Sequence, residues 1–220
     1  MGSFEVASQA RFERALQGVG GGAGAEGART FEELVSRYAE PHRRYHTLEH
    51  IEQCLRGFDR FRGLAERPAE VELAIWFHDM VYDPRATDNE ARSAELARAR
   101  LLGHGASGPA TDRVVAHILA TEKHRGDDRD SALVIDLDLS ILGAEWPAFV
   151  AFERAIRVEY KHVPTLLFEI GRKRVLRSFA RRPTIYRFDE IRQELEASAR
   201  ENLRRRLEGE GKAEVEPRDL

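Results

Sequence analysis

A chain of 220 residues, 42% hydrophobic and 33% charged, has the length and composition expected of one soluble globular domain with a sizeable core. Its net charge is -3 and both signs are interspersed, so no general pull toward nucleic acid or an anionic membrane is expected. No apolar run approaches the roughly 20 residues that span a bilayer. The single cysteine, Cys54, excludes an internal disulfide framework. With no secretion signal in the first residues, the expected location is the cytoplasm.

Strand-type alternation is almost absent and helical periodicity runs nearly everywhere, which predicts an all-α fold. A short amphipathic helix over 3–17 would pack Phe4, Phe12 and Leu16. Gly18 to Gly27, with three successive glycines at 20–22, reads as a flexible connection. It has no preceding strand and no following Lys-Ser/Thr pair, which excludes a phosphate-binding loop. Thr30 and Glu33 form a capping-box pattern for a helix over 31–39, ended by Pro41. Further helices are expected over 47–61, 68–81, 89–102 (capped by Asp88), 110–121, 131–142, 146–162, 164–180 and 188–207. The expected organisation is an N-terminal helix and glycine-rich connection over 1–30, a helical domain over 31–207, and a polar, frayed tail over 208–220.

The residues most suggestive of chemistry are Trp76-Phe77-His78-Asp79. An imidazole and a carboxylate stand side by side at the end of an apolar run, where burial costs several kcal/mol unless they are paired or coordinated. Upstream, His46 and His50 are spaced to share one helical face. Downstream, Asp136 and Asp138 interrupt an apolar stretch. Imidazoles with carboxylates suit a first-row transition metal, and a more oxygen-rich shell would suit magnesium. Arg172, Arg174 and Arg177, with the Arg181-Arg182 and Arg204-Arg205-Arg206 clusters, lack interleaved aromatic readers. They read as solvated faces.

In this order the segments resemble the HD superfamily of metal-dependent phosphohydrolases, in particular a bacterial branch without assigned substrate. The matching segments are Tyr45-His46-x-x-x-His50-Ile51, Trp76-Phe77-His78-Asp79-x-x-Tyr82-Asp83, Asp88-Asn89-Glu90-x-x-Ser93 and Thr121-x-Lys123-His124. Asp136-x-Asp138-Leu139-Ser140-Ile141-Leu142-Gly143, Ile156-Arg157-x-Glu159-Tyr160 and Gly171-Arg172 complete the pattern. The resemblance covers about residues 31 to 205. It implies a single HD-type helical bundle holding a divalent ion (Mn, Mg, Ni, Zn or Fe) through His50, His78, Asp79 and a fourth ligand, Asp138 or else Asp136. It also implies that His46 and His124 line the pocket. Some members carry Glu-Asp soon after His-Asp. Tyr82 and Asp83 stand there here, which argues against transfer of an alarmone-hydrolase mechanism.

The reaction so implied is hydrolysis of a phosphate ester or anhydride in a small molecule, a nucleotide first among them. Asp83 or Glu90 would steer or deprotonate the attacking water. Arg44, His46, Lys123 and His124 would contact the phosphorylated substrate. Two other readings fit the same residues: a metal- or nucleotide-binding sensor without catalysis, and a di-iron oxygenase. No membrane or specific nucleic-acid partner is expected, and a homodimer is compatible with the arginine-rich helices.

Overall fold

The computed structural model describes residues 3–22 and 24–211, with residues 3–7 as backbone only. The side chain of Phe4 and the tail over 212–220 lie outside the described residues. Ten α-helices and no strand occur among the described residues, as the periodicity predicts. They are α1 (Ser3–Gly18), α2 (Ala25–Tyr38), α3 (Leu48–Phe61), α4 (Pro68–Phe77), α5 (Asn89–Gly103), α6 (Gly108–Thr121), α7 (Arg129–Asp138), α8 (Trp146–Glu159), α9 (Thr165–Ala180) and α10 (Asp189–Glu208). The chain divides into two compact units, one of residues 1–40 and 46–135, the other of residues 41–45 and 136–220.

In the first unit α4 is the central element, packed against α1, α3, α5 and α6. Every residue from Glu70 to Phe77 is buried, so this helix has no solvated stripe and no amphipathic period. Its two carboxylates are matched by cations: Glu70 takes both Arg113 bonds, and Glu72 binds Arg11 and Arg62. Phe12, Phe31, Trp76 and Phe77 pack edge-on or tilted at centroid distances of 5.7–6.0 Å. Asp130 of α7 accepts the Glu66 and Arg67 N–H groups at 2.8 and 2.9 Å, satisfying the start of α4.

Several helix ends differ from the sequence expectation. α2 begins at Ala25, inside the glycine-rich stretch, so Thr30 is not a cap. It is buried, and its hydroxyl bonds His104 Nε2 at 2.9 Å. α4 stops at Phe77 and not at Val81. Asp88 precedes α5 without a side-chain capping bond, whereas Ser107 does cap α6.

The second unit packs α10 against α9 and against the 3₁₀ turn Leu139–Gly143, which α8 also touches. Gly143 allows this approach, since a Cβ there would stand 2.8 Å from the Leu195 carbonyl oxygen. A buried charge network links its helices. Glu153 of α8 binds Arg172 of α9 at 2.5 Å and Arg206 of α10 at 2.8 Å, and Arg206 also binds Glu169 at 2.7 Å. Arg206 is fully buried, so the Arg204-Arg205-Arg206 run is not the solvated cluster that its composition suggests. Arg157 and Glu159 are structural too. Arg157 donates to the Tyr160 and Val163 carbonyls, and Glu159 accepts the Arg44 and Tyr45 N–H groups.

Candidate metal centre

His50 lies in the first turns of α3, where Ile51, Cys54, Leu55 and Phe58 turn the same face inward. His78 and Asp79 follow the last residue of α4. His78 still donates its backbone N–H to Ala74, and the chain leaves the helix there. Segment 81–83 is then held by α5: Ser93 Oγ accepts the Val81 N–H, and Asn89 bonds both the N–H and the carbonyl of Asp83. The Asn89 and Ser93 positions thus fix the turn that follows the His-Asp pair.

All three chemical groups are buried, and they converge. His50 Nε2 and His78 Nε2 are 3.3 Å apart, and Asp79 Oδ2 lies 3.1 Å from His78 Nε2 and 3.7 Å from His50 Nε2. Two nitrogens bound to one ion at roughly 2.1 Å each would stand about 3.0–3.4 Å apart, so the pair has the separation of co-ligands. The tautomer agrees. His78 Nδ1 is 2.9 Å from the Ile75 carbonyl, which only accepts, so Nδ1 carries a proton and Nε2 is the nitrogen turned to the site. Burial pushes the Asp79 carboxyl up, but His78, His46 and His50 outweigh it and hold it well below the usual range. Asp79 therefore presents an anion.

Asp138 is the half-buried last residue of α7. Asp138 belongs to the second unit, whereas His50, His78 and Asp79 belong to the first. Asp136 is occupied elsewhere. Its two oxygens accept the Arg187 and Phe188 N–H groups at 2.8–3.0 Å, just before α10. Burial pushes its carboxyl up to about 6 against those bonds.

Around the triangle, the half-buried ring of His46 stacks on Tyr82 at 4.2 Å between centroids and stands 6.2 Å from His50. Cys54 Sγ lies 3.8 Å from the His50 ring nitrogens. Glu90, in the first turn of α5, is half-buried. Burial raises its carboxyl, as do Asp79 and Glu122, while its own backbone N–H and His124 oppose the rise. Glu90 thus stands within electrostatic reach of both Asp79 and His124. His124 adopts the left-handed conformation (φ 48°) on the loop between α6 and α7.

Other expected site residues are placed differently. Asp83 Oδ1 accepts the Arg85 N–H, an Asx-type turn that gives this carboxylate local work. Lys123 is exposed with its Nζ 3.5 Å from Glu122. Arg44 belongs to the second unit, and its guanidinium donates to the Pro41 and Arg43 carbonyls. Tyr82 was legible only as a missing glutamate. Its contact with His46 depends on the chain reversal after α4, which no periodicity signals. No family model, curated protein or solved structure matches the chain.

Proposed function

We propose that the protein is a metal-dependent phosphohydrolase acting on a small phosphorylated molecule, a nucleotide first among them. The observation that carries this reading is the buried triangle of His50 Nε2, His78 Nε2 and Asp79 Oδ2, with sides of 3.1–3.7 Å. The resemblance of the flanking segments to the HD phosphohydrolases supports it. Asp138 completes the ligand set in this reading, because Asp136 is committed to backbone N–H groups.

A divalent ion bound there would acidify a coordinated water and polarise a phosphoryl oxygen. The chain's own residues supply the rest. The Ile75 carbonyl holds a proton on His78 Nδ1, so that Nε2 is the nitrogen that would ligate. Glu90, raised by burial beside Asp79, is the carboxylate that would take a proton from water and return it to the leaving oxygen. His46, braced by Tyr82, and His124 donate to phosphate oxygens as charge builds on them. Asp83 is the weaker general base, since its Oδ1 already accepts a backbone N–H.

A second reading is an iron-dependent oxygenase. Two imidazoles and one carboxylate on one side of an ion is a ligand set also used by non-haem iron enzymes. Elemental analysis of purified protein, followed by a phosphatase screen over nucleotides with and without added metal, separates the two. Phosphate release that needs metal and fails in Asp79→Ala supports hydrolysis. Iron with oxygen consumption and no phosphate release supports oxidation.

A further inference from the structure

Of the six large hydrophobic side chains exposed among the described residues, four belong to α9. Leu166, Leu167 and Ile170 are 73, 59 and 53% exposed and crowd its first turns. Phe168, Leu176 and Phe179 form the buried side of the same helix. At about 100° per residue, Leu166, Leu167, Ile170, Lys173, Arg174, Arg177 and Arg181 fall within one arc of about 120° on the opposite side. Among the described residues none of these four cations makes an ion pair, although surface arginines elsewhere, such as Arg37, Arg98, Arg113 and Arg204, do. The one carboxylate of α9, Glu169, is turned away to Arg206. The outward face therefore carries three bulky aliphatic groups and four cations, with no negative charge.

This chemistry selects its partner. A protein interface draws on aromatic anchors and hydrogen-bonding side chains, and this arc has no Trp, Tyr, Asn or Gln. Single-stranded nucleic acid wants aromatic platforms between its cations. A symmetric pairing of two copies through this face would offer its four cations no opposite charge, since the arc carries none. A fluid anionic surface needs no shape complementarity, and it rewards both halves of the face. We propose that α9 docks the protein reversibly on an anionic lipid surface. Leu166, Leu167 and Ile170 enter the boundary between headgroups and acyl chains, and Lys173, Arg174, Arg177 and Arg181 lie on the lipid anions. The near-neutral net charge of the chain conceals this segregation, which only the helix wheel and the buried side of α9 make visible. The proposal is independent of the phosphohydrolase reading.

Co-sedimentation of the full chain with vesicles tests it. Phosphatidylcholine vesicles with about 30% phosphatidylserine should pellet the protein at low salt, and pure phosphatidylcholine or about 0.5 M salt should release it. The triple variant Leu166→Ser, Leu167→Ser, Ile170→Ser and the pair Arg174→Glu, Arg177→Glu should each weaken binding at least about tenfold. All five positions are exposed, so the fold is retained. Absence of binding, equal binding to neutral vesicles, or binding unchanged in the variants overturns the proposal. So does self-association of the wild type that the serine variant abolishes, because a second copy would then be the occupant.

Discussion

Arg206 and His78 are both buried, yet their surroundings are built on opposite plans. Arg206 sits in a closed network, where Glu153 and Glu169 neutralise it and Arg172 completes the charge balance on Glu153. Every strong group there has a partner of opposite sign, as a structural ion cluster requires. At His78 the polar groups meet one another instead of separate partners of opposite sign. Two imidazole nitrogens face each other at 3.3 Å, and one carboxylate oxygen faces both. In the proposed reading a shared cation takes up these three atoms. Burial of polar groups is therefore no sign of function; the direction in which their lone pairs converge is.

Breaking each cluster should give opposite signatures. The largest effect is expected at the convergent one. His78→Ala should lower phosphatase activity about 10³-fold or more, by losing several kcal/mol of transition-state stabilisation, with little loss of stability in urea. In the closed network, Glu153→Ala should cost about 3–5 kcal/mol in urea denaturation by leaving Arg206 partly uncompensated, with metal content unchanged. Asp136→Ala should cost about 1–3 kcal/mol through the Arg187 and Phe188 N–H groups, again without metal loss, whereas Asp138→Ala should lose metal at small cost in stability. Metal loss in Asp136→Ala and retention in Asp138→Ala would reverse the ligand assignment.

The smallest effect concerns pH. Burial lowers the pKa of His117, whose Nδ1 bonds Ser131 at 2.7 Å, and likewise of His104, bonded to Thr30. Both are then neutral when folded at a pH where the unfolded chain already binds protons. Stability is full above the unfolded histidine value of about 6.5 and falls as pH drops through it. A thermal melt series from pH 7.5 to 5 (round values that bracket about 6.5) should show declining Tm. His117→Gln should flatten that decline. An equal slope in wild type and variant would assign the acid sensitivity to other groups.

How much of this was legible beforehand depends on what carries the signal. Helix identity shows in periodicity, and nearly every expected helix is present. The errors fall where tertiary partners decide. α4 is buried on all sides, so its pattern gives no end point, and its exit after Phe77 is fixed by Ser93 and Asn89 acting on residues 81–83. α2 starts among glycines and packs on α1, and composition gives no sign of that start. The ligand candidates stood out as polar residues inside apolar runs. The choice between Asp136 and Asp138 rests on N–H groups some 50 residues away, which spacing does not encode. Arg206 shows the same limit from the other side, since a basic run on paper is a buried tie between helices.

The central claim is that the His50, His78 and Asp79 triangle exists to hold a cation. Metal content by elemental analysis, compared between wild type and His50→Ala after equal exposure to divalent ions, tests it most directly. The account predicts about one divalent ion per chain in the wild type and close to none in the variant. Equal metal content in the two proteins, or no metal in either at saturating supply, would contradict it.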